Sequence, residues 1–176
     1  QARFPDGIGP WRFPSEMSPD RTNRVRLQQD VVINEVQYHP PDGNLSGSWL
    51  ELLNRGTADI DLSGWSFTDG IGYRFPVGAV LRAGQLLVIA EKPDALRAEN
   101  TGVRVLGPFE GQLSNSGERL VLADADGNPA DTVEYADSGR WPESADGGES
   151  SLELQNPEAD NASPEAWAAS DESKRS

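Results

Sequence analysis

Residues 48–70, SWLELLNRGTADIDLSGWSFTDG, constrain the fold more than any other part of this chain. They read as two half-buried strands joined by a polar turn of Asn54, Arg55, Gly56, Thr57 and Asp59. Trp49, Leu50, Leu52 and Leu53 supply the apolar positions of the first strand, and Leu62, Trp65 and Phe67 those of the second. Ser63-Gly64 makes a tight bend, after which Trp65 and Phe67 point to one face while Ser66 and Thr68 point to the other. Two strands that each bury one face need partners. The remaining apolar runs supply them: Trp49, Leu52, Trp65, Phe67, Leu87, Ile89, Leu120, Leu122 and Tyr135 are expected to form most of a single two-sheet core.

From Asp30 onward, short apolar runs recur between turn clusters at spacings typical of an all-β sandwich. Strands are predicted near 31–38, 48–54, 59–67, 72–75, 80–90, 103–109, 119–124, 131–135 and 151–154. Asp126-Gly127 between LVLAD and DTVEY signals a hairpin, because a tight turn needs positive φ and glycine supplies it. One short helix is expected over 92–99, with Pro93 in its first turn. Residues 155–176 read as polar and extended apart from Trp167. Residues 1–29 differ in composition from the rest, and a linker and the tail of a preceding module fit them equally well. The expected boundaries are therefore 1–29, a sandwich over 30–172, and a tail of 173–176.

The pattern W-x-E-L-x-N … D-L-S-G-W-x-F-x-D resembles the signature of bacterial lamin-tail domains. The likeness continues through Val31-Val32-Ile33-Asn34-Glu35-Val36, Tyr73-Arg74-Phe75-Pro76, Leu113-Ser114-Asn115-Ser116-Gly117-Glu118, Trp141-Pro142 and Ser151-Leu152-Glu153-Leu154. It implies an immunoglobulin-like β-sandwich, with the short helix crossing between the two halves. It also implies that Trp141 and Trp167 anchor long loops, and that the parent is a large secreted or surface bacterial protein. The DNA and chromatin links of animal lamin tails do not carry over. With 29 acidic residues against 15 Lys and Arg, the net charge of −14 repels phosphate backbones.

No cysteine is present, so a disulfide framework, a thiol nucleophile and a cysteine-based zinc site are all excluded. No apolar run approaches the roughly 20 residues of a membrane helix. The chain opens QARFPDGIGP, without a signal peptide, and reads as a piece of a longer protein. Its only histidine, His39, sits in YHPP at a strand end, and no serine lies in a G-x-S-x-G elbow. A P-loop and a dinucleotide fingerprint are missing too.

What remains is polar. Asn34, Glu35, Glu51, Asn54 and Asp69 occupy the most recognisable polar positions of the motif. Glu35 and Glu51 are expected to approach one another on neighbouring strands, as a glycosidase pair or as capped structural carboxylates. Asp124, Asp126, Asn128 and Asp131 form an oxygen-rich turn that would suit weak calcium. Its glycine falls at the fourth position rather than the sixth, so it is a hairpin turn first and a metal site second. Trp11 is the tryptophan best placed to stack on a ligand. These residues point to a non-catalytic interaction, adhesion or spacer module. Its partners would be protein or polysaccharide at the cell surface, its state monomeric, and its only plausible ion calcium. A carbohydrate-binding module and a carboxylate-based hydrolase are the alternatives.

Overall fold

The computed structural model describes residues 1–3, 5, 8–14 and 25–171. Its strands in chain order are β1 (Ala2–Arg3), β2 (Trp11–Arg12), β3 (Val31–Gln37), β4 (Trp49–Asn54), β5 (Ile60–Asp61), β6 (Ser66–Asp69) and β7 (Tyr73–Arg74). They continue with β8 (Val80–Leu81), β9 (Leu86–Ala90), β10 (Val105–Leu106), β11 (Gly117–Ala123), β12 (Pro129–Ala136), β13 (Leu152–Leu154) and β14 (Trp167–Ala169), and helix α1 (Pro93–Glu99) follows β9. A six-stranded sheet, ordered β10-β9-β4-β3-β13-β14, packs against a four-stranded sheet, β12-β11-β6-β7. Small pairs β1-β2 and β5-β8 complete the strands among the described residues, and the fold is an immunoglobulin-like β-sandwich.

Alternation decides what lies between the sheets. Leu50 and Leu52 of β4 and Leu87 and Ile89 of β9 are fully buried, and Leu120 and Leu122 of β11 meet them from the second sheet together with Phe67 of β6 and the preceding Trp65. Trp49 is a correction to the expected core. It lies on the outer face of β4, half-buried against Val88, Ala90, Leu96 and Val105. One residue of register separates Trp49 from Leu50, and on a strand that is the whole difference between outside and inside.

Several elements differ from the sequence expectation. The predicted strand 59–67 is two strands in different sheets, because the Ser63-Gly64 bend falls inside it. Asp61 Oδ1 accepts the Ser63 N–H at 2.9 Å, and Gly64 adopts φ 78°. The predicted 80–90 strand likewise splits into β8 and β9 at a turn closed by the Gln85 N–H on the Arg82 carbonyl. Helix α1 does not cross between the halves: it joins β9 to β10, which pair in parallel within one sheet. The stretch expected to be extended at 155–176 contains β14, which pairs with β13. Trp167 packs beside Trp141 with ring centroids 6.0 Å apart, and both are buried.

Polar clamps close the loops between these strands. Asn54 is fully buried; its amide donates to the Ala58 and Leu81 carbonyls at 2.8 and 3.0 Å, and its Oδ1 accepts the Gly56 N–H. Tyr135 donates its hydroxyl toward the Ser114 carbonyl and Glu118 Oε1, at 2.9 and 3.0 Å, and Glu118 Oε1 also accepts the Ser114 N–H. The preceding Gly117 sits at φ 100°, and a Cβ there would fall 2.5 Å from the Tyr135 carbonyl oxygen. Asn128 reaches in the other direction. It accepts the Phe13 N–H at 2.7 Å and donates to the Phe13 carbonyl at 2.9 Å, which seats the end of the β1-β2 segment on the β11-β12 turn.

Two stacked tyrosines give opposite expectations. The Tyr38 and Tyr135 rings lie 4.8 Å apart. The buried Tyr38 hydroxyl has no hydrogen-bond partner among the described residues, and burial first, then Asp146 and Asp137, push its pKa up to about 12. Tyr38→Phe should therefore be neutral or stabilising, whereas Tyr135→Phe should cost about 1–2 kcal/mol in urea titration. Among the described residues, deleting residues 1–24 removes the Phe13 contacts but no residue of the main core. Melting of the shortened chain should stay cooperative, with the midpoint lower by only a few degrees; loss of a single transition would make that segment an integral part of the fold.

Candidate binding groove

The outer face of the six-stranded sheet carries one cross-strand row that changes character half-way along. Its members pair in the order Glu153 (β13), Glu35 (β3), Glu51 (β4), Val88 (β9) and Val105 (β10). The apolar half is roofed by α1, whose Leu96 packs on Val88, Ala90, Val105 and Trp49. The acidic half lies beside that roof. Between them opens a groove of about 300 Å³ lined by Glu35, Trp49, Glu51, Val88, Leu96, Asn100 and Val103.

Glu35 reaches this face only because β3 is bulged. Ile33 pairs with Leu52 on the core face, and Glu35, not Asn34, is the next residue in register, opposite Glu51. Asn34 is the extra residue, and it reverses the alternation so that Glu35 points outward while Val36 returns to the core. The bulge is held from both sides. Asn34 Nδ2 donates to Glu51 Oε1 at 2.9 Å. Asp131 Oδ2 accepts the Ile33 N–H at 2.7 Å and Asn161 Nδ2 at 2.7 Å, and Asn161 also donates to the Ile33 carbonyl at 3.4 Å. The Ser151 hydroxyl donates to Glu35 Oε1, and the Ser151 N–H donates to Ser170 Oγ at 2.9 Å, so β13 and the end of β14 fix the Glu35 carboxylate.

The structure therefore brings together three of the five motif residues, Asn34, Glu35 and Glu51, and separates the other two. Asn54 faces the core as a loop clamp. Asp69 lies in the other sheet, where it accepts Arg119 Nη1 at 3.0 Å and both side chains are half exposed. The four oxygen ligands proposed for calcium do not converge. Asp124 Oδ1 accepts the Asp126 and Asn128 N–H groups as a turn cap, Asn128 holds Phe13, and Asp131 holds the bulge. No cluster of three or more His, Cys, Asp or Glu suited to a metal occurs among the described residues. Trp11 is exposed, with the Arg3 guanidinium 5.0 Å from its ring centroid. His39 Nδ1 lies 2.6 Å from Asp146 Oδ1 in a half-exposed pair.

A protein-family model described as the lamin tail domain matches residues 25–137, well over half of the chain. The chain belongs to the lamin tail domain family. A search of curated proteins found no match. The matched stretch ends one residue after β12, yet β13 and β14 of this lamin tail domain lie in its six-stranded sheet and supply Leu152, Leu154 and Trp167 to the core. They also supply Glu153 and Ser151, so the acidic half of the groove is partly built from outside the matched region.

Gln37 and Ser170 belong to the surroundings of the groove without any signal in the sequence, and Ser151 entered it only as the first residue of the Ser151-Leu152-Glu153-Leu154 motif. The outward position of Glu153 between Leu152 and Leu154 was the one available signal, since strand alternation alone predicts it. What it faces depends on register.

Asp131 tests the support beneath the groove. Burial raises its pKa above the usual 3.8, against the opposing pull of the Ile33 and Asn161 hydrogen bonds and the charge of Arg55. The folded form thus holds this proton more tightly than the unfolded chain does. Stability from the group is fully present below about pH 3.8 and is lost as pH rises through the raised folded value. Asp131→Asn keeps an acceptor for Ile33 and should be the milder change, with the wild type losing stability relative to it between pH 4 and 7. Asp131→Ala strands the Ile33 N–H and should cost about 1–3 kcal/mol. A wild-type–Asn difference that stays flat across that pH range would show that Asp131 titrates alike in both states.

Proposed function

We propose that this lamin tail domain is a non-catalytic recognition module of a larger secreted or surface bacterial protein. It binds a protein partner through the groove beside α1, acts as a monomer and needs no cofactor. The observation that carries this reading is the Glu35–Glu51 pair itself. The two residues are cross-strand neighbours on one face of one sheet, whose Cβ atoms in such a pair stand roughly 4.5–5.5 Å apart. They project side by side. A glycosidase instead needs two carboxylates flanking the scissile bond from opposite sides, one to protonate the leaving group and one to attack or activate water. Both glutamates are also engaged by neighbouring side chains, Ser151 and Asn34, which suits a rigid binding surface better than a proton-shuttling acid.

Other chemistry finds less support. The His39–Asp146 pair has no serine hydrogen-bonded to it among the described residues, so it lacks the nucleophile of a triad. A sugar platform would want coplanar exposed rings, whereas Trp141 and Trp167 are buried and Trp11 is covered on one face by Arg3. The net charge of −14 favours basic partners over nucleic acid.

Retention of the purified domain on cell-envelope protein and on cell-envelope polysaccharide would decide between these readings. The wild type should be retained on protein, and Glu51→Lys, which reverses the charge in the groove, should lose that retention while melting cooperatively. Turnover of aryl glycosides, or equal retention of both forms, would overturn the assignment.

A further inference from the structure

We propose that a basic notch beside β8 binds an acidic, extended protein segment that carries an aliphatic side chain between its carboxylates. The notch, of about 410 Å³, is lined by Gly78, Val80, Arg82, Gln85 and Arg104. It shares no lining residue with the groove beside α1, so the inference stands apart from the reading of that groove.

The turn before β8, the turn between β8 and β9, and the chain entering β10 meet here. Arg104 is held at both ends. Its carbonyl accepts the Val88 N–H of β9 at 2.9 Å, and its Nη1 donates to the Val80 carbonyl of β8. Arg82 is held through the backbone of its turn. Its carbonyl accepts the Gln85 N–H at 3.1 Å, and the next N–H, of Ala83, donates to Asp59 Oδ1 at 3.1 Å. The Arg82 guanidinium itself makes no hydrogen bond, and neither arginine forms an ion pair among the described residues. The opposite wall is open as well, since no atom lies within 4 Å of where a Cβ on Gly78 would stand.

Two arginines without an acid are unexpected in a chain of 29 acidic residues against 15 Lys and Arg. Lys92, Arg97, Arg119 and Arg140 each take a carboxylate. The acids facing β8 are turned to other work: Asp61, opposite Val80, accepts the Ser63 N–H at 2.9 Å, and Asp59 holds Ala83. A pair of positioned guanidinium forks matches carboxylates, which they bind in parallel, charge-assisted hydrogen bonds.

The surroundings say what kind of anion. Val80 is exposed, and so are Val77, Leu86 and Val103, each next in the chain to a lining residue. Single exposed aliphatic residues need no explanation, but four of them around two unpaired guanidinium groups do. An acidic segment with an aliphatic residue between its acids meets both features, and Gln85 offers a donor and an acceptor to its backbone. Free phosphate would satisfy the forks and leave the valines in water. A long polyanion would feel the net charge of −14, whereas a short segment feels mainly the charges within a Debye length of about 8–10 Å.

The test titrates the full chain with three capped tripeptides, acetyl-Glu-Leu-Glu-amide, acetyl-Glu-Gly-Glu-amide and acetyl-Gln-Leu-Gln-amide, and with inorganic phosphate and an oligogalacturonate. Binding is read from the Nε–H resonances of Arg82 and Arg104. Glu-Leu-Glu should shift both, Glu-Gly-Glu should bind several-fold more weakly, and Gln-Leu-Gln should move neither. Added salt should weaken the binding. Arg82→Gln should weaken it roughly fivefold, the reach of an exposed ion pair, and leave the thermal midpoint unchanged. Arg104→Gln should weaken it too, with a lower midpoint because the Val80 bond is lost. Resonances that stay put, or that move equally with Gln-Leu-Gln, overturn the proposal. Phosphate or oligogalacturonate binding as tightly as Glu-Leu-Glu also overturns it, and makes the notch a general anion site. A dimer in sedimentation that Arg82→Gln dissociates overturns it as well, with the acidic surface of a second copy as the occupant.

Discussion

The arrangement of the outer sheet face depends on one extra residue in β3. Asn34 interrupts the pairing between Ile33–Leu52 and Glu35–Glu51, and everything beyond it along the strand is turned over. A regular β3 would send Glu35 into the core beside Leu50 and Leu52, where an unpaired carboxylate costs several kcal/mol. The bulge avoids that cost but leaves backbone groups to be satisfied. Asp131 from the opposite sheet and Asn161 from the loop before β14 satisfy them. The two sheets are therefore joined at this point by hydrogen bonds as well as by apolar packing. A residue that looks like a metal ligand in the sequence serves as a support for the strand.

The same face shows how a sandwich makes a groove without a cleft between domains. Sheets covered on one side by the core normally expose a polar outer side. Here the outer side of β9 and β10 is apolar, and the short helix that links these two parallel strands folds back over it. The helix reaches as far as Trp49, and the outward Glu35, Gln37 and Glu51 of β3 and β4 are buried as well. A tryptophan at the border of an apolar roof thus stands beside carboxylates in the next row. That combination is built from four strands and a helix, none of which holds it alone.

Elsewhere the polar residues of the motif serve the backbone. Asn54 replaces a missing turn of structure by bonding three backbone groups in a fully buried site. Glu118 and Tyr135 tie the Ser114 loop to β12, and Gly117 allows the approach because a side chain there would strike the Tyr135 carbonyl. Such groups are expensive to leave unpaired, which is why these positions stand out as recognisable polar letters in an otherwise apolar pattern.

The sequence by itself determined the class of fold, most strand positions, and the inward set of Leu52, Trp65, Phe67, Leu87, Ile89, Leu120 and Leu122. These follow from period-two alternation and from turn residues, both of which are local. It also brought Glu35 and Glu51 under suspicion together, since both are acids in strands that read as neighbours. Tertiary structure decided the rest. It put Trp49 outside, split two predicted strands between sheets, and drew β14 into a stretch that looked merely extended. It scattered Asp124, Asn128 and Asp131 to three different tasks, and it set Gln37 beside Trp49. Each of these depends on register and on a bulge, and a shift of one residue reverses every side chain beyond it. Composition cannot encode that choice; the pairing of distant strands makes it.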